Sequence, residues 1–228
     1  MKSVISAVCV ATALSMGSAS GYSIVNVPTA NQAPLGEVNV AYYSMSVHDL
    51  PVSHKNIGIV YATVAPRLEL ENTYIDINNG AKSQNVFNAS YKLLAESKGN
   101  WDVVVGAKNI FSDDNSPDPD EQKTSYYLAT AKTLNPPTPG EKWHSIYRVH
   151  VNYGTREHRG LFGGLQVAIT PRLGFVAMKF TNSGYADLFF GNTSEYAVVY
   201  SLGKNAPNLK VGTLGKHDWA GVDYSLRF

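Results

Sequence analysis

The last nine residues constrain this chain more than any other stretch. Counting back from Phe228, Leu226, Tyr224, Val222 and Ala220 are apolar at every second position, with Arg227, Ser225, Asp223 and Gly221 between them. Side chains alternate across a strand, so the two sets occupy opposite faces. An apolar face ending in a terminal aromatic is what the last strand of a membrane barrel presents. Ala220, Val222, Tyr224, Leu226 and Phe228 are therefore the expected signal to a barrel assembly machinery. A soluble edge strand ending in Phe is the competing reading.

Eleven further segments read as strands, most of them with the same period of two. They lie near 36–46, 56–64, 67–77, 84–94, 100–110, 124–134, 143–153, 160–170, 172–181, 194–202 and 207–214. Segment 143–153 is among the cleanest. Tyr147, Val149, Val151 and Tyr153 share one face, and Ile146, Arg148, His150 and Asn152 the other. No amphipathic helical window competes, and no run of eighteen apolar residues exists to span a bilayer as a helix. A mean hydropathy of -0.16 looks soluble, but lipid-facing and lumen-facing residues cancel in a barrel. The expectation is an all-β, antiparallel up-and-down transmembrane barrel of about twelve strands over residues 36–228.

The connections agree. Alternate links are short or carry proline, as at Ala65-Pro66 and Thr170-Pro171, whereas Ser112 to Lys123 and Asn182 to Thr193 are long and polar. Outer-membrane barrels have short periplasmic turns and longer outer loops. Tyr42, Tyr61, Tyr91, Trp101, Tyr127, Tyr147, Tyr153, Tyr196, Tyr224 and Phe228 fall on the expected outward faces, several near strand ends, where aromatic rings sit at headgroup level. Asn72 lands on a lipid face unless a bulge shifts the register. Lys179 and Arg172 leave 172–181 ambiguous.

Residues 1–20 read as an export signal. Lys2 precedes the apolar run Val4 to Leu14, and small residues follow at Gly17 to Ser20. The only cysteine, Cys9, lies in that stretch, so disulfides, thiolate catalysis and cysteine-zinc sites drop out of the rest. Lys+Arg 19 against Asp+Glu 18 gives no bulk field, which excludes nucleic acid as an expected partner. Residues 21–35 form either a strap inside the barrel, with Ser23 to Ala33 plug-like, or a periplasmic tail.

Alternation assigns charges to the lumen. Lys92, Lys108, Lys132 and Arg148 make a basic arc on four consecutive strands. Glu37, Glu69, Glu71 and Asp223 make an acidic arc opposite. An open lumen of this kind conducts small polar solutes with weak charge preference. If the charges instead pair across a narrow lumen, they seal it. Twelve strands lie between the filled eight-stranded barrels and the aqueous sixteen-stranded ones.

Catalytic chemistry is missing from the pattern. Among His48, His54, His144, His150, His158 and His217, His144 adjoins Ser145, but neighbours in a strand point apart, which is poor for a nucleophile–base pair. The sequence lacks the His-x-Ser-Asn-Gly arrangement of outer-membrane phospholipases. Asp113, Asp114, Asn115, Asp118, Asp120 and Glu121 offer oxygen ligands for calcium or magnesium, but Pro117 and Pro119 break the spacing of an EF-hand loop. A solvated outer loop is the plainer account. No catalytic residue, metal or cofactor is expected.

The segment Gly21 to Val38 (GYSIVNVPTANQAPLGEV), through Pro28, Thr29, Ala30, Pro34 and Gly36, resembles the opening of outer-membrane proteins of the YjbH type, associated with exopolysaccharide production. Val105 to Asn109, Tyr126-Tyr127 with Lys132, and Leu161 to Gly164 are similar as well. The chain is much smaller than the large members. The resemblance implies a barrel, an outer-membrane location and a polysaccharide connection, and it brings no catalytic residues. The expected function is a small channel or export-associated barrel for polar solutes or saccharides. A closed structural or adhesive barrel is the second expectation and a lipid hydrolase the third. Expected partners are outer-membrane lipid and lipopolysaccharide, the assembly machinery, and a polysaccharide or small polar solute.

Overall fold

The computed structural model describes residues 22–23, 27–46, 54–77, 83–112, 123–138, 140, 142–180, 194–203 and 206–228. Residues 1–20, expected above to be an export signal, the acidic stretch 113–122 and residues 181–193 lie outside them. Twelve of the strands close into one barrel. They are β3 (Glu37–Ser46), β4 (His54–Ala65), β5 (Leu68–Ile77), β6 (Gln84–Leu94), β7 (Asp102–Ser112), β8 (Ser125–Thr133), β9 (Ile146–Gly154), β10 (Gly160–Ala168), β11 (Leu173–Phe180), β12 (Ser194–Ser201), β13 (Asn208–Leu214) and β14 (His217–Arg227). A two-stranded ladder, β1 (Tyr22–Ser23) with β2 (Val27–Pro28), precedes them.

Each barrel strand pairs antiparallel with the next, and β14 closes on β3 through Asp223–Ala41 and Arg227–Glu37. Closure leaves no strand edge unpaired, so backbone hydrogen bonds are satisfied without water. Among the described residues no helix is long and apolar enough to cross a membrane. One end of the barrel carries residues 66–67, 95–101, 134–138, 142–145, 169–172, 202–203 and 206–207 together with Phe228. We call it the turn end; the opposite one is the loop end. At the turn end Pro66-Arg67 alone links β4 to β5. Proline presets the first corner, and Arg67 takes the second at a φ of 71°.

Facing is clearest on β3, β8 and β9, where buried and exposed positions alternate. The outward face is apolar and ringed by aromatics. Tyr42, Tyr74, Phe111, Tyr126, Tyr153 and Tyr196 are exposed toward the loop end, and Tyr91, Trp101, Trp143, Tyr147, Tyr200 and Phe228 toward the turn end. Water would not stabilise such a surface; hydrocarbon with interfacial rims does. Ala220, Val222, Tyr224 and Leu226 share the outward parity of β14, opposite the buried His217, Trp219 and Asp223.

Two aromatic placements differ from the sequence expectation. Tyr61 and Tyr127 turn inward, with 4% and 6% of their surfaces exposed, and Tyr126 takes the outer position. The cause on β8 is a neighbour without a side chain. A Cβ at Gly106 on β7 would run into the Tyr127 ring, so the glycine leaves a recess on the inner wall that the ring covers. Gly212 under Trp219 and Gly221 under Tyr43 repeat this arrangement. Asn72 does face outward, paired to Val60 and Phe87. The nearest β4 irregularity, between Thr63 and Ala65, lies too close to the turn end to move it.

Candidate functional site

The polar chemistry gathers on the inner wall around residues 28–33. Thr29, Ala30, Asn31 and Ala33 are buried, and their partners are inward side chains of the barrel. Asn152 on β9 donates to the Pro28 carbonyl (3.0 Å), and Thr63 on β4 donates to the Ala33 carbonyl (2.6 Å). The Ala33 amide donates to Glu69 Oε2 on β5 (2.8 Å). Asn31 donates to Gln166 Oε1 on β10 (3.2 Å), and Gln32 to Ser90 Oγ on β6 (2.8 Å). No strand ladder joins this strap to the wall, so its buried backbone groups take side-chain partners from it. Small residues make the room: Ala30 packs with Val104, Tyr127, Ala129 and Ala131.

Arg148 on β9 is the hub beneath it. Its Nε donates to Asn31 Oδ1 (2.9 Å), one terminal nitrogen to Asp102 Oδ2 on β7 (2.5 Å), and the other to Glu96 Oε2 and to Thr133 Oγ1 (3.0 Å). Lys92 on β6 adds a second cation to Asp102 at 3.5 Å. The Glu96 amide donates to Asp102 Oδ1 (2.8 Å), so the turn 95–101 is drawn under the barrel. Charge-assisted bonds of this kind fix geometry more firmly than neutral ones. Beside the hub is a cavity of about 890 Å³ at the turn end, lined by Gln32, Lys92, Arg148 and Gln166 on its polar side and by Ile146 and Val176 on its apolar side. That volume is within the range of small-ligand sites.

The expected arcs are only partly realised. Lys92, Lys108 and Arg148 point inward, Lys108 fully buried, but Lys132 does not. It shares the outward parity of Tyr126 and Leu128, because β8 turns Tyr127 and its alanines inward. Its ammonium bends to the Ser97 and Asn100 carbonyls at 2.7 and 2.8 Å. Glu37, Glu69, Glu71 and Asp223 are all inward and buried. Glu71 Oε1 accepts from Asn88 and Thr73. Glu37 meets Arg227 at 2.6 Å, and Asp223 meets Lys210 at 3.2 Å.

The cations and anions therefore pair locally, along the wall, and the expected field of a basic arc against an acidic one is replaced by neighbouring pairs. Short pairs win because a buried charge without a close partner is costly. Asp102 and Lys210, unmarked in the sequence reading, share strand parity with Lys108 and with Asn208 and were legible from it. Glu96 sits in a turn, where alternation carries no information.

His144 approaches the Asn135 carbonyl (3.4 Å), and among the described residues no three His, Cys, Asp or Glu side chains are placed to hold a metal.

No family model matches this chain, and no curated protein matches it. Solved structures do resemble it. The KdgM porin superposes with a TM-score of 0.48 at 10% identity, covering 84% of this chain and 99% of that one. For the outer membrane protein Omp33 of Acinetobacter baumannii the values are 0.47, 12%, 84% and 98%. For an outer membrane channel from Pseudomonas putida F1 they are 0.40, 14%, 90% and 100%. At such identities, what those proteins conduct does not carry over to this chain.

Proposed function

We propose that this protein is exported, spans the bacterial outer membrane, and forms a narrow channel for polar solutes, saccharides foremost, that its own N-terminal strap closes at rest. The observation that carries the reading is the strap itself. Residues 28–33 lie inside the barrel and are held by single hydrogen bonds to six different side chains, not by a ladder. The four neutral bonds contribute about 1 kcal/mol each, and the two to Arg148 and Glu69 about 1.5–3 kcal/mol each. None of the six belongs to the ladders that close the wall, so the strap can leave without unfolding it. The apolar outer band with aromatic rims supports the membrane location, and lipid, lipopolysaccharide and the assembly machinery are the partners that location brings. The saccharide link rests on the resemblance of residues 21–38.

A second reading has its own support. A buried apolar cluster, including Tyr43, Met45, Ile59, Phe162, Phe180 and Trp219, occupies the inner wall from β10 round to β4. This suits a closed structural or adhesive barrel. Recording single-channel currents in planar bilayers separates the two. The channel reading predicts rare openings for the native protein and a several-fold higher open fraction for Thr63→Val combined with Asn152→Leu, which removes two donors to the strap. Silence from both, with both well folded, supports the closed barrel.

A further inference from the structure

The wall that holds the strap offers a fixed set of groups. Thr63 Oγ1, Asn152 Nδ2 and Arg148 Nε donate, and Glu69 Oε2, Ser90 Oγ and Gln166 Oε1 accept. They are spread along an extended chain, and they recognise backbone as well as side-chain groups. Between them Tyr127, Val104 and the β8 alanines form an apolar patch now covered by Ala30. Charges around the track balance: Lys92, Lys108 and Arg148, with the Lys132 ammonium reaching Glu96 from the outward face of β8, stand against Glu69, Glu71, Glu96 and Asp102, and Arg148 bridges Glu96 and Asp102.

We infer that the strap holds the place of the solute: the same track binds a linear, uncharged oligosaccharide, which competes with residues 28–33 for it. Sugar hydroxyls both donate and accept, so they can satisfy the three donors and three acceptors the strap leaves. The C–H face of a pyranose fits the Tyr127 patch that Ala30 vacates. A polyanion finds no unbalanced cation there. Solute binding and strap release are then one exchange, and the channel opens to the molecule that can replace its plug. This rests on the channel reading and names its solute.

The test uses the full-length protein with Ala30→Cys, a position that is fully buried while the strap is seated. Its labelling by a water-soluble maleimide is followed with maltohexaose, with a uronate oligomer of equal length, and with neither. Gln32→Cys repeats the measurement should Ala30→Cys unseat the strap. Maltohexaose is expected to raise the labelling rate at least tenfold and the uronate to leave it unchanged. Gln166→Leu should raise the basal rate and blunt the maltohexaose increment. Labelling indifferent to maltohexaose overturns the competition, even where currents persist. Equal response to the uronate overturns the assignment to uncharged sugar. Labelling that rises in a protein silent in bilayers keeps the shared track and removes the channel.

Discussion

Two stretches of the inner wall bury charge in different company. On β5 to β9 the charged groups tie separate segments together: Arg148 joins the strap, the turn 95–101, β7 and β8. From β10 through β14 to β4 the apolar cluster dominates. There Lys210 and Asp223 make a pair 3.2 Å apart, with the Tyr43 hydroxyl 3.4 Å from the ammonium. The first stretch is polar because a segment without a ladder lies against it and needs partners. The second is apolar because its side chains pack on one another. Both are stable walls, but the strap is held mainly by the polar one, through Glu69, Ser90, Arg148 and Asn152, and touches the other only through Thr63, Gln166 and Ala33.

Removing the cation from each stretch should expose that difference most strongly. Lys210→Met strands the buried Asp223, at a cost of about 3–5 kcal/mol. Arg148→Met leaves Asp102 with Lys92 and Glu96 with Lys132 and should cost less, both read from urea titration of the folded barrel. Only Arg148→Met should also free the strap and raise thiol labelling at an Ala30→Cys reporter. Equal labelling in the two variants would erase the distinction between the stretches.

Val149→Arg sets a lipid-facing site against a strap-facing one on the same strand. It should cost about 2–4 kcal/mol through its place in hydrocarbon. Asn152→Arg faces inward, yet Asn152 is buried and bonded to the strap, so its effect should be strap release. If folding yield falls equally and labelling rises in neither, the facing of β9 is misassigned.

The glycine recesses come next. Gly106→Val and Gly221→Val each drive a branched side chain into a ring, costing about 1–3 kcal/mol of overpacking. The first should perturb the strap through Tyr127 and Ala30, and the second should leave it seated. Thr63→Val should have the smallest effect, about 1 kcal/mol from one lost hydrogen bond. That corresponds to roughly a fivefold rise in strap labelling, with no change in the rest of the barrel.

Strand number, order and most facings were legible because alternation is enforced by the medium on one side of every strand. Segment 143–153 shows this: its four outward and four inward residues are placed as their spacing dictates. Tyr127 shows the limit. Its facing depends on Gly106 across the ladder, and a one-residue difference exchanges every side chain of β8, carrying Lys132 outward. Ion pairing was illegible for a related reason. Arg148 selects Glu96 from a turn and Asn31 from the strap, contacts set by closure and not by sequence distance.

The central claim is that the strap governs passage, and a reversible lock tests it most directly. Ala30→Cys and Ala129→Cys place two thiols in one buried cluster, in a chain whose only native cysteine is Cys9. Single-channel recording of this variant, oxidised and then reduced in the same bilayer, should show no openings while the strap is tied to β8 and recurrent openings once the disulfide is cut. Identical currents before and after reduction would contradict the claim.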